Sequence, residues 1–239
     1  QIICKSKNII NEHGLELESQ FSTTSQVYRN NSIDLNCKRH KSIFNKFNII
    51  PEFCFGCYKV QVDVTTVLDL IRLAALFYES EFESDLTRKC LVEIRPNIPG
   101  SYKGLIYCRG IDQAHSVKTQ LDVKVRDIDK NLVTKIKKGC SEFPLAFPEY
   151  GEVAASEEEM LQYPQVWRAF EVEFDVESPL PPKTYVNSSL KEFCLSDYLI
   201  IHKWIDYAKV IGDPTSELFC DLPVKYNEIL KVAKARVKQ

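Results

Sequence analysis

The sequence predicts an α+β protein with an antiparallel sheet, on three observations. Residues 58–64, Tyr-Lys-Val-Gln-Val-Asp-Val, alternate apolar and polar side chains as a half-buried strand does. Two segments, 67–77 and 111–125, carry apolar stripes at helical spacing, and each follows a strand-like run. Between residues 58 and 140 the order is strand, helix, strand, strand, helix, strand. That is the split β-α-β, or ferredoxin-like, arrangement, with both helices on one face.

The first strand points Tyr58, Val60, Val62 and Val64 one way and Lys59, Gln61 and Asp63 the other. Thr65-Thr66 caps a helix marked by Val67, Leu70, Leu73 and Phe77. Lys89 to Arg95 is the second strand, with Cys90, Val92 and Ile94 on its core face. The run 96–100, Pro-Asn-Ile-Pro-Gly, is a turn. Tyr102 to Cys108 is the third strand. A helix follows from Ile111 with Ala114, Val117 and Leu121 in its stripe, and Leu132 to Lys138 closes the sheet. Right-handed crossovers then give the sheet order 4-1-3-2.

Outside this unit the signals are sparser. Residues 1–49 read as a polar arm with one short helix, 39–47, in which Ile43, Phe44 and Phe47 line up. The unit itself spans 50–141. Residues 142–239 read as an acidic linker and a helical C-terminal segment docked on the sheet domain. The segment 141–180 holds ten acidic residues and one arginine, whereas 101–140 holds nine lysines and arginines against four aspartates. Such opposed charge suggests that the two segments attract each other. Helices are expected near 160–170, over 198–211 ending at Gly212-Asp213-Pro214, and over 222–237. Pro179 to Pro182 reads as a rigid linker.

Composition narrows the function classes. A net charge of −2 over 239 residues does not describe a polycation built to wrap nucleic acid. No apolar run reaches the roughly 18 residues that span a bilayer. No phosphate loop, dinucleotide fingerprint, nucleophile elbow or His-Glu-x-x-His motif occurs, so the residues name no reaction. The chain starts at Gln1 and its one methionine is Met160, which suggests a piece of a longer protein.

The cysteines carry the strongest chemical suggestion. There are nine: Cys4, Cys37, Cys54, Cys57, Cys90, Cys108, Cys140, Cys194 and Cys220. The count is odd and too low for a disulfide scaffold, which points to a reducing, cytoplasmic setting. The sequons at Asn31 and Asn187 add little. In the expected topology Cys54, Cys57, Cys90, Cys108 and Cys140 all map to strand ends on one rim. Cys54-x2-Cys57 is a knuckle that presents two thiolates to one ion. The expected ligand set is Cys54, Cys57, Cys108 and Cys140, with Cys90 in reserve. A second set, Cys37, His40, Cys54 and Cys57, follows from local spacing alone.

Structural zinc in an interaction or accessory module is therefore the first expectation. An iron–sulfur cluster in an enzyme or electron carrier is the alternative, since it accepts the same thiolates. A third reading is RNA binding, because Lys103-Gly104-Leu105-Ile106-Tyr107 partly matches the stacking strand of RNA-recognition modules. It lacks a stacking ring at Leu105, so nucleic acid is disfavoured as a partner. A protein partner, or the rest of a longer chain, is expected, and no membrane. Inert cysteines packed as small hydrophobes are the plain alternative to any metal. Charged residues on the open sheet face, Lys59, Asp63, Glu93 and Arg95, are expected to pair and face solvent. His115 is expected on the surface, and His202 packed within an apolar helix.

The run from Arg39-His40-Lys41 through 51–57, Pro-Glu-Phe-Cys-Phe-Gly-Cys, to the strand 102–108 resembles uncharacterised bacterial modules that follow tetratricopeptide-repeat arrays. The resemblance implies no activity and no ligand. The chain itself contains no such repeat.

Overall fold

The computed structural model describes residues 2–12, 26–29, 35–82, 86–95, 98–154, 159–178 and 193–219. Its centre is an antiparallel sheet of β1 (Gln26–Arg29), β2 (Cys57–Val64), β3 (Arg88–Val92), β4 (Tyr102–Arg109) and β5 (Thr134–Lys138), in the order β1-β3-β4-β2-β5. The four strands after residue 57 stand in the order β3-β4-β2-β5, as the two crossovers require. β2 lies between β4 and β5, paired along its length with β4 and over 58–62 with β5.

A fifth strand departs from the expectation. β1 comes from the arm and pairs with β3 from Gln26↔Leu91 to Arg29↔Arg88. The arm also supplies α1 (Ile2–Glu12) besides the expected helix, which spans α2 (Cys37–Phe47). Its sequence hides β1 because four residues flanked by polar ones show no periodicity. An exposed β3 edge offers unpaired backbone groups, and β1 satisfies them.

The alternation of β2 decides where the core lies. Tyr58, Val60, Val62 and Val64 face α4 (Val67–Glu79) and α5 (Ile111–Lys124), with Cys90, Val92, Ile106 and Cys108 on the same face. α4 contributes Leu70, Leu73, Ala74 and Phe77; α5 contributes Ala114, Val117 and Leu121. Thr66 accepts a hydrogen bond from the Asp69 amide at 3.1 Å and so starts α4 as its N-cap. Gly104 sits in register with both Val62 and Cys90. A Cβ there would lie 2.5 Å from Leu73 Cδ2 and 3.0 Å from Phe77 Cζ, so its missing side chain is what seats α4 on the sheet.

α8 (Leu195–Ile211) joins this core through Ile201, Trp204, Ile205 and Tyr207. Gly212 ends it with φ 78°. Asp213 follows, and its buried carboxylate accepts from the Val67 amide at 2.6 Å and the Tyr102 hydroxyl at 2.9 Å. The end of α8 is thereby tied to the start of α4. Among the described residues of the acidic segment, α7 (Arg168–Glu177) follows a 3-10 turn at Gln165–Trp167, so the helix lies later than the sequence places it. Pro164 explains the shift, because the residue before it avoids helical dihedrals. The expected helix over 222–237, the 179–182 linker and both sequons lie outside the described residues.

Candidate functional site

The second face of the sheet holds the candidate site. Strand parity sends Lys59 and Gln61 of β2, Lys89 and Leu91 of β3, and Lys103, Leu105 and Tyr107 of β4 to this face. The expected solvent-facing surface is not what forms. Lys59 is 5% exposed, Gln61 4%, Glu93 3% and Lys103 4%.

The cover comes from two small apolar clusters beside the sheet. One joins Ile50, Cys54, Phe143 and Tyr150, with Phe44, Phe55 and Trp167 at its margin. The other joins Ile43, Ile49 and Phe174. They bring α2, α3 (Glu52–Phe55) and α6 (Phe143–Ala146) against one end of the face, and α7 packs on α2. A cavity of about 240 Å³ lies between cover and sheet. Its lining combines Lys59, Lys89 and Lys103 from the strands with Glu93 and Arg95, with Cys37, His40 and Lys41 from α2, and with residues 139–143. Leu91, Leu105, Ile94 and Phe53 add apolar wall.

The electrostatics are unbalanced. Five lysine and arginine side chains, Lys41, Lys59, Lys89, Arg95 and Lys103, line the cavity against two glutamates. Both glutamates are already engaged. Glu93 bonds Arg95 through Nε at 2.9 Å and Nη2 at 2.8 Å. Burial works against the Glu93 carboxylate, but the Arg95 side-chain and backbone donors hold its pKa below the usual range. Glu142 accepts from Lys41 Nζ at 2.8 Å, from Cys140 Sγ at 3.0 Å and from Arg95 Nη1 at 3.3 Å. Burial opposes its charge as well, yet the bonds from Cys140 and Lys41 bring its pKa down to about 2.

Lys59 has no such partner. Its Nζ donates to the Gly139 carbonyl and to Ser141 Oγ, each at 3.2 Å, and among the described residues no carboxylate lies within ion-pair distance. Burial lowers its pKa to about 8, and burial also lowers those of Lys89 and Lys103. Lys103 reaches Asp63 at 3.6 Å, and Lys89 lies over the Tyr107 ring at 5.4 Å. Gly139 keeps this geometry possible. A Cβ at that position would collide with Cys57 Sγ, while the Gly139 amide donates to the Cys57 carbonyl at 2.9 Å.

The cysteines divide between the two faces. Cys54, Cys57 and Cys140 line the cavity, as do Cys37 and His40, so the whole of the second expected ligand set reaches one site. Cys108 and Cys90 do not. Both sit in the core beneath the helices, one residue out of phase with Cys57 and Lys59. The register puts Cys57 and Cys108 at one end of the sheet but on opposite faces, and it puts Cys90 level with Gly104 and Val62, away from that end, so the expected five-cysteine rim does not form. Burial raises the pKa of Cys57 to about 11 and that of Cys140 to about 12, and it raises Cys54 further. Among the described residues no group of three or more His, Cys, Asp or Glu stands ready to hold a metal ion.

Comparison with protein-family models, with curated proteins and with solved structures finds no match. The site is therefore read from its own geometry. His40 stacks on Phe53 with ring centroids 5.1 Å apart, and His202 meets Ser6 Oγ at 3.0 Å inside the core, as its apolar helix predicts. His115 is on the surface. Sequence reasoning singled out the thiols and missed the set of buried lysines. A signal was present: outward positions of β2, β3, β4 and β5 all carry lysine, namely Lys59, Lys89, Lys103, Lys135 and Lys137. Among the described residues no helix is long and apolar enough to cross a membrane.

Proposed function

We propose that the cavity is a binding site for a small organic anion with an apolar body. One observation carries the reading: Lys59 is buried in the cavity with no carboxylate partner, among lining cations that outnumber the acids. A buried ammonium without a counter-charge is costly, and a bound carboxylate or phosphate supplies the missing charge. Leu91, Leu105, Ile94 and Phe53 suit the apolar remainder of the ligand. The strand order of residues 57–138 supports reading this part as a ferredoxin-like unit extended by β1, with the site on the face away from its two helices.

The test is thermal unfolding at fixed ionic strength with benzoate, inorganic phosphate or chloride. Benzoate should raise the midpoint progressively, since a ligand at 100 times its Kd stabilises by about 2.7 kcal/mol. In K59M the benzoate response should vanish. Equal responses to benzoate and chloride in both proteins would remove the reading.

A cysteine-bound zinc remains a second reading, favoured because Cys37, His40, Cys54 and Cys57 line the same cavity. It predicts one zinc per chain by elemental analysis of anaerobically purified protein, lost in C54S/C57S. An iron–sulfur cluster would instead give iron, sulfide and visible absorption. RNA binding has less support, because Lys103, Leu105 and Tyr107 line the covered cavity and do not form an open platform.

A further inference from the structure

The sheet face that holds Lys59 also carries two leucines with no core of their own. Leu105 of β4 and Leu91 of β3 are buried, yet neither belongs to any of the three apolar clusters found among the described residues. Both line the cavity instead. Leucines that face a void lose dispersion contacts, which a fitting apolar group would supply. The register sets them in line with the buried ammonium. Leu105 pairs with Gln61, two residues on from Lys59 in β2, and Leu91 pairs with Lys103, two residues back from Leu105 in β4. Lys59, Leu105 and Leu91 therefore form a diagonal across β2, β4 and β3. Each step is about 8 Å, given strands about 4.8 Å apart and a rise of about 3.3 Å per residue. Polar side chains beside the diagonal bond elsewhere. Gln61 Nε2 donates to Asp63 at 2.7 Å, and Lys103 Nζ donates to the Pro99 carbonyl. Their stems then serve as apolar wall.

We propose that the ligand of this site is an unbranched medium-chain fatty acid, its carboxylate at Lys59 and its chain laid along Leu105 and Leu91. The inference rests on the anion-site reading and adds the shape of the apolar body. Two diagonal steps give a track of about 16 Å. An extended chain covers about 1.2 Å per bond, so roughly eight to twelve carbons fill the track. A single ring reaches no further than Leu105, so benzoate reports on the head of the site alone.

The test is calorimetric titration of the wild-type protein with butyrate, hexanoate, octanoate and dodecanoate, each below its micelle concentration. Each methylene from butyrate to octanoate should tighten binding about fourfold. Octanol, which has the chain without the charge, should bind at least about tenfold more weakly than octanoate. In K59M octanoate should lose that advantage. L91F should fill the far step and move the optimum to a shorter chain, and the wild-type series decides by itself if L91F does not fold. A flat series, while benzoate still raises the unfolding midpoint, overturns the fatty-acid inference and leaves the anion site standing. An unchanged length preference in folded L91F overturns the path along Leu91, and the inference with it. If octanol matches octanoate and benzoate does not stabilise, the anion site falls and takes the inference with it.

Discussion

At the scale of single residues, Lys59 links stability to binding. Its pKa is about 8 in the fold against an ordinary 10.5, so below pH 8 the folded protein bears the full cost of a buried charge. Between pH 8 and 10.5 the unfolded chain binds more protons than the folded one, and that cost is relieved as pH rises. K59M should therefore be more stable than wild type at pH 7, by roughly 1–3 kcal/mol. The gap should narrow as pH rises through that window, read by urea unfolding of both proteins at matched pH. A constant gap would mean that Lys59 does not titrate there. A bound anion holds the ammonium form, so affinity for benzoate should fall over the same rise in pH. None of this follows from the local sequence. Tyr58-Lys59-Val60 announces a strand with Lys59 outward, but outward means solvent only if nothing covers that face, and the cover comes from 37–55 and 139–143.

Single elements depend on two places where a side chain is missing. Gly104 is where α4 lies on β4, and G104A would press a methyl group into Leu73 and Phe77. Overpacking of this kind costs about 1–3 kcal/mol, and chemical unfolding of G104A should show it. The loss should leave the benzoate Kd nearly unchanged, because the strain lies on the opposite face. G139A should do the reverse in emphasis. There the clash is with Cys57 at the edge of the cavity, and the segment that positions Ser141 must move. Benzoate affinity should drop severalfold even where the protein stays folded. An unchanged Kd would show that the 139–141 segment does not shape the site. The strands and their order were legible in the sequence because alternation and right-handed crossovers leave few solutions. β1 was not, because four residues give no periodicity to read.

Across the whole molecule, charges fasten the cover. Arg39 of α2 binds Asp175 through Nε at 2.7 Å and Nη2 at 2.8 Å, and Glu171 through Nη1 at 3.0 Å. Lys46 pairs with Glu177, and Lys41 with Glu142. The acidic segment thus meets the basic helix 37–47 and Arg95; among the described residues none of its ion pairs reaches 101–140. Sequence charge told the sign of the attraction and not its address, since Coulomb attraction carries little directional information. The Arg39 side chain is 11% exposed, so its forked bonds are worth more than surface pairs. R39A should cost about 1–3 kcal/mol and weaken benzoate binding, both read in one denaturation series with and without ligand. Loss of stability with an intact Kd would separate the clamp from the cavity.

The clamp also sets a timetable. A chain made from its N-terminus has all five strands in hand at residue 138, yet Glu171 and Asp175 emerge some thirty residues later. The helix bearing Arg39 must wait through the making of the whole sheet for the partner that fixes it. Closing of the cavity therefore waits for α7, and a nascent chain stalled after β5 would hold all five strands with the 37–55 part of the cover not yet clamped.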